Sequence, residues 1–279
     1  MTGIAPQGFV APGYEGVREE FARNFTQRGD VGASCAVHDG TRFVVDLWGG
    51  DATARRAWAS DTVCLAYSVT KGLVTILVAR LVDEGLLALD EPVTTYWPEF
   101  GAEGKAATTV RMVLSHRAGL PVIEPGLDRA ALLEPGVAAA RLAAQRPAWE
   151  PGESFGYHAL TWGWLVDELV LRVTGDRVKE AIQQKLAAPL AIDLHVGLPP
   201  SALPRVADLV VGSPGPTGEG ASADAVAPPA DFDRALTAHG AFPLLDPVTW
   251  NDDAVRLASV PGAGVITNAR AAARLYAAV

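Results

Sequence analysis

The spacing of apolar positions changes character several times along this chain, and each change predicts a different kind of element. Residues 32–38 (Gly-Ala-Ser-Cys-Ala-Val-His) and 41–48 (Thr-Arg-Phe-Val-Val-Asp-Leu-Trp) are short strand-like runs separated by Asp39-Gly40. Asp-Gly readily takes the left-handed turn that joins two twisted strands, so the pair predicts a β-hairpin. Before it, residues 16–28 have the spacing of a short amphipathic helix. After Ser68, residues 72–85 (Gly-Leu-Val-Thr-Ile-Leu-Val-Ala-Arg-Leu-Val-Asp-Glu-Gly) follow a helical period. They close on Gly85, which suits a helix end because glycine tolerates left-handed backbone. The pattern stays mostly helical to about residue 194, with breaks at Pro92, Pro98, Pro121, Pro147 and Pro151, as in a helical lobe inserted after the hairpin. Residues 199–230 are rich in proline and glycine and predict a long surface loop or flap that shapes access to a site.

Composition narrows the class. With 279 residues, 49% hydrophobic and 20% charged, the chain can bury one large core. It reads as a single domain, residues 1–279, of two lobes: an α/β lobe from about 1–60 and 257–279, and a helical lobe from about 61–256. A net charge of −9 without a basic run argues against nucleic acid and favours a small-molecule partner. No run reaches the length of a membrane span, and residues 1–8 lack the basic start and apolar core of a secretory leader, so a cytoplasmic protein is expected. The sequence carries no signal for oligomeric state. Cys35 and Cys64 sit in apolar surroundings and predict buried free thiols. His38, His116, His158, His195 and His239 lack the paired spacing of a metal site, so neither metal nor cofactor is expected.

Candidate chemistry gathers where the long helix begins. Ser68 and Lys71 fall one turn apart on the same face. The partly positive helix N-terminus favours an anion at the serine, and a desolvated lysine can lose its proton and accept the serine's. An isolated Ser-x-x-Lys is more often an N-capping serine beside a solvated lysine, so the neighbouring segments decide. In chain order these are residues 64–72 (Cys-Leu-Ala-Tyr-Ser-Val-Thr-Lys-Gly), 86–93 (Leu-Leu-Ala-Leu-Asp-Glu-Pro-Val), 109–121 (Thr-Val-Arg-Met-Val-Leu-Ser-His-Arg-Ala-Gly-Leu-Pro) and 151–159 (Pro-Gly-Glu-Ser-Phe-Gly-Tyr-His-Ala).

From about residue 31 to its end, the chain resembles the serine β-lactamase and penicillin-binding-protein-like hydrolases. Within them it is similar to the class C-like branch that includes the family VIII carboxylesterases. The resemblance implies a mixed α/β fold, with an antiparallel sheet flanked by helices and a mostly helical lobe. It implies Ser68 as nucleophile, with its backbone N–H as one oxyanion donor, and Lys71 with Tyr157 moving the proton, Tyr157 as base and then acid. Ala159 stands where the β-lactamase motif has asparagine, which weakens the case for lactam or peptide substrates. His158 is adjacent to Tyr157 and diverges from it in extended backbone, so a structural or supporting role is expected. His116 and Gly119, in Leu-Ser-His-x-x-Gly-Leu, are expected to organise loop packing near the site rather than complete a Ser-His pair. The seven tryptophans are read as core or pocket wall.

The resemblance also implies a third motif, Lys-Thr-Gly in β-lactamases and His-x-Gly or Trp-x-Gly in esterases, well after residues 261–279. Gly262-Ala-Gly264 fits the element before that motif, a glycine turn leading into a helix. The expectation is a C-terminally incomplete domain that lacks its second oxyanion donor, whose loss costs about 100- to 1,000-fold in turnover. Three functions follow as expectations: a serine carboxylesterase acting on small-molecule esters through a covalent acyl-enzyme, an acyltransferase or transesterase using the same intermediate, or a non-catalytic protein that binds a β-lactam or other ligand as a sensor.

Overall fold

In the computed structural model, which describes residues 5–211 and 230–279, the hairpin predicted around Asp39-Gly40 forms the body of one sheet. Its strands are β1 (Gln7–Val10), β2 (Gly32–His38), β3 (Phe43–Thr53) and β4 (Arg56–Ala57). They are ordered β1-β3-β2, with β4 folded back on β3. Gly32 faces Gly50 and Val37 faces Val45. The Asp39 carboxylate accepts from the Thr41 and Arg42 amides and Gly40 takes φ +96°, so side-chain-to-backbone bonds close the turn. The helix predicted at 16–28 is α1 (Glu15–Arg23), continued by a π-helical turn over Asn24–Arg28. Its Phe21 packs on Val45 and Leu47 of β3.

A second sheet joins β5 (Cys64–Leu65), β6 (Leu194–Val196) and β7 (Val265–Thr267) in the antiparallel order β5-β7-β6. It links segments read as helical lobe with one read as α/β lobe. Strands of two or three residues are too short to show a period.

The long predicted helix is α2 (Val69–Asp83). Leu73, Leu77 and Leu81 recur at four-residue spacing, and all three are buried with Val74. Each such side chain contributes about 1.5–3 kcal/mol of apolar burial, as an upper bound. The helix ends as expected, with Gly85 at φ +72° and the Leu86 amide returning to the Leu81 carbonyl at 2.9 Å. Beyond it come α3 (Val110–Leu114), α4 (Arg129–Leu133), α5 (Val137–Ala144) and α6 (Thr161–Thr174). α6 lends Trp162, Leu165, Val166 and Leu169 to the core shared with α2.

Residues 199–230 differ from the predicted free loop. Pro200–Arg205 is a 3-10 helix, Val206 bridges to Val63, and Ala202, Val206 and Ala207 are buried. These apolar residues turn the start of the segment into core wall. Residues 212–229 of the predicted loop lie outside the described residues, and Ala230–Thr237 is a helix. Cys35 and Cys64 are free but only half-buried, and burial pushes the Cys64 thiol up to about 11. Among the described residues no helix is long and apolar enough to cross a membrane, and no group of three or more His, Cys, Asp or Glu side chains could hold a metal ion.

Candidate active site

Ser68 sits in the turn between β5 and α2, and β7 fixes that turn. The Ala66 amide donates to the Val265 carbonyl at 2.9 Å, and the Val265 amide donates to Thr70 Oγ1 at 2.9 Å. Thr70 Oγ1 in turn donates to the Tyr67 carbonyl. These bonds hold Tyr67 at φ +43°, a left-handed conformation that costs a residue with a side chain about 1–3 kcal/mol. The Tyr67 hydroxyl, bonded to the Leu244 carbonyl at 2.7 Å, and its ring, edge-on to Trp250, complete the anchor. Ser68 is thereby exposed at the head of α2. Among the described residues nothing accepts from its backbone N–H.

Lys71 is the opposite case, a cation only 9% exposed. Its Nζ donates to the carbonyls of Ala159 and Gly262, each at 2.7 Å, and lies 3.2 Å from Ser68 Oγ. Among the described residues it forms no ion pair. Burial without a counter-charge pushes its pKa down to about 8. A neutral amine has two N–H groups and one lone pair. With both N–H groups given to carbonyls, the lone pair is left for the Ser68 hydroxyl.

The Gly262 carbonyl reaches Lys71 because α6 and the segment before β7 nearly touch. A Cβ on Gly163 would lie 2.0 Å from the Gly262 nitrogen, so the crossing excludes any side chain there. Gly262 belongs to the glycine turn read from the sequence, yet its carbonyl is part of the site. Ala159, identified as a lost asparagine, likewise contributes through its backbone. Main-chain carbonyls leave no residue-type signature, so neither role was legible.

Tyr157 completes the group, its hydroxyl donating to Ser68 Oγ at 2.8 Å while Lys71 Nζ lies 4.9 Å from the centre of its ring. His116 and His158 stand behind it. The His116 ring packs against the Tyr157 ring with centroids 4.8 Å apart, and its Nδ1 accepts from the His158 amide at 3.1 Å. His158 is fully buried, with Nε2 accepting from the Leu120 amide at 2.9 Å and Nδ1 bonded to the Gly156 carbonyl. Gly119, at φ +74°, turns the chain where a Cβ would meet the Trp149 carbonyl at 2.5 Å. The structure thus brings Ser68, Lys71 and Tyr157 together and sets His116 against the tyrosine ring, while His158 bonds the 114–120 turn and Gly119 packs on Trp149.

The beta-lactamase family model matches residues 21–279. The chain belongs to the beta-lactamase family. It is 36% identical over 292 residues to Esterase/beta-lactamase LipL of Mycobacterium tuberculosis, an alignment covering 98% of this chain and 64% of that protein. It is 34% identical over 168 residues to Esterase EstB of Burkholderia gladioli, covering 53% of this chain and 39% of that one. Among solved structures, a family VIII carboxylesterase superposes with TM-score 0.85 at 38% identity, over 97% of this chain and 70% of that one. A penicillin-binding protein homolog from Caulobacter crescentus gives TM-score 0.82 at 35% identity, with the same coverage of 97% and 70%. The mixed α/β fold with antiparallel sheets and many helices is therefore that of the beta-lactamase family. This family member spans about two thirds of the length of these full-coverage relatives.

Proposed function

We propose that this protein is a serine carboxylesterase that cleaves small-molecule esters through an acyl-enzyme on Ser68. One observation carries the reading: Lys71 is buried, has no ion pair among the described residues, and is held by two carbonyls with its remaining position 3.2 Å from Ser68 Oγ. Relatives named as esterases and the superposed carboxylesterase support the ester as substrate class.

In the first half-reaction the Ser68 hydroxyl proton passes to neutral Lys71 as Oγ forms a bond to the ester carbonyl carbon. The carbonyl electron pair moves onto oxygen, where the Ser68 N–H, without an acceptor among the described residues, is available to donate to the developing charge. Collapse of that intermediate breaks the bond to the alcohol oxygen. The Tyr157 phenol protonates the departing alkoxide, and the Lys71 proton restores the phenol. In the second half-reaction water gives its proton to the same pair as it attacks the acyl carbon, and collapse breaks the bond to Ser68 Oγ, which takes that proton back as the acid leaves. An alcohol in place of water gives acyl transfer from the same intermediate.

Hydrolysis of a short-chain aryl ester by wild type and Ser68→Ala tests the assignment. Loss of a nucleophile of this kind costs about 10⁶-fold in kcat. Turnover by Ser68→Ala at a comparable rate would remove Ser68 from the mechanism.

A further inference from the structure

Tyr157 reaches Ser68 from a segment without regular secondary structure, so something must hold its phenol in place. That segment meets the 114–120 turn through main-chain bonds, such as the Gly152 amide to the Arg117 carbonyl at 2.9 Å, and through two bonds that end on imidazole rings. The Gly156 amide donates to the His116 carbonyl at 3.2 Å, and the His158 amide donates to His116 Nδ1 at 3.1 Å. The Leu120 amide donates to His158 Nε2 at 2.9 Å, and the His158 ring closes back on the Gly156 carbonyl. The residues on either side of Tyr157 are therefore both tied to one turn, with the His116 ring lying against the phenol.

The partners fix the state of both rings. A carbonyl can only accept and an amide can only donate, so His158 must carry its proton on Nδ1 and present a bare Nε2. His116 must present a bare Nδ1. Both rings are then neutral, and burial pushes both down to about 4, with Lys71 adding to the effect at His116. Lys71, Tyr157 and the two rings are the titratable groups that face this cluster, while the Arg117 guanidinium is turned to the Gly152 carbonyl. His116 itself sits at φ +62°, a left-handed conformation sustained by the bonds it accepts.

We propose that His116 and His158 are positioning residues for Tyr157, clamping its segment so that the phenol stays within hydrogen-bond reach of Ser68. The proposal rests on the role given to Tyr157 above. Misplacing a reacting group by about 1 Å costs on the order of 100-fold, so the clamp acts on kcat.

A double-mutant cycle on the whole chain tests this, with active sites counted by complete Ser68 labelling with a phosphonate ester. His116→Leu removes the acceptor and is expected to lower kcat per labelled site by about 30- to 100-fold with KM changed less than about threefold. His116→Asn, whose amide oxygen can accept from the His158 amide, recovers most of that loss. In a Tyr157→Phe background, His116→Leu costs less than about threefold, because its effect passes through the phenol. Equal losses in both backgrounds, or unchanged kcat per site in His116→Leu, overturn the clamp. Should His116→Leu lack a cooperative melt, His158→Leu against His158→Gln supplies the same cycle under the same criteria. Wild-type turnover independent of Ser68 would instead overturn the esterase assignment, an outcome distinct from any in the cycle.

Discussion

Two lysines are buried in this molecule, and they are held in nearly the same way for different ends. Lys105 Nζ donates to the carbonyls of Ala102 and Gln145, as Lys71 Nζ does to those of Ala159 and Gly262. Burial pushes both amines below the usual lysine value, although Glu103 partly offsets the effect at Lys105. The third direction separates them. Lys105 faces the Phe100 ring at 5.5 Å, whereas Lys71 faces a hydroxyl that has a second partner in Tyr157. A desolvated amine becomes a catalytic base only when a transferable proton lies on its lone pair, and elsewhere the same arrangement pins two chain segments together.

The largest break in this comparison comes from Lys71→Met, which keeps the buried volume and removes the proposed base. We expect kcat/KM for an aryl ester to fall by about 1,000- to 10,000-fold while a cooperative melt persists. Tyr157→Phe keeps the ring and removes the hydroxyl that bonds Ser68 Oγ, the proposed proton carrier. Its expected loss in kcat is about 100- to 1,000-fold, measured on the same ester. The pH profile sharpens the contrast, since the active form of Lys71 is neutral. kcat/KM should rise about tenfold per pH unit below about 8 and flatten above it. Folding lowers the Lys71 pKa, so the unfolded chain binds more protons between about 8 and its ordinary 10.5, and stability rises with pH across that window. Urea melts at pH 7 to 10 should show the rise, reduced in Lys71→Met. Lys105→Met should leave turnover within about twofold. By orphaning two carbonyls it should cost roughly 1–3 kcal/mol, or about 3–8 °C in Tm.

Part of this arrangement was open to sequence reasoning. Ser68 and Lys71 share a helical face at a spacing that three residues fix, and the apolar run after them fills the core, so this pair and α2 could be placed. Asp39-Gly40 located the hairpin through local turn chemistry, and Tyr157 lay in a recognisable segment. The groups that tune Lys71 could not be found that way. Ala159 and Gly262 act through main-chain carbonyls, and they meet only because Gly163 lets two distant segments cross. Lys105 sits in a run of small residues, and only tertiary packing buries it. The sheet behind Ser68 depends on pairings between residues about 70 to 200 positions apart, such as His195 and Leu65 with Ile266, which no local period encodes.

The central claim is that a neutral, buried Lys71 activates Ser68. The rate at which a phosphonate ester labels Ser68, followed by intact mass from pH 6 to 10 in wild type, Lys71→Met and Lys105→Met, tests it most directly. The account predicts one adduct at Ser68, a wild-type rate rising to half its maximum near pH 8, the same profile in Lys105→Met, and a slow rate without that rise in Lys71→Met. A folded wild-type chain that gives no Ser68 adduct, or a profile that Lys71→Met leaves unchanged, would contradict it.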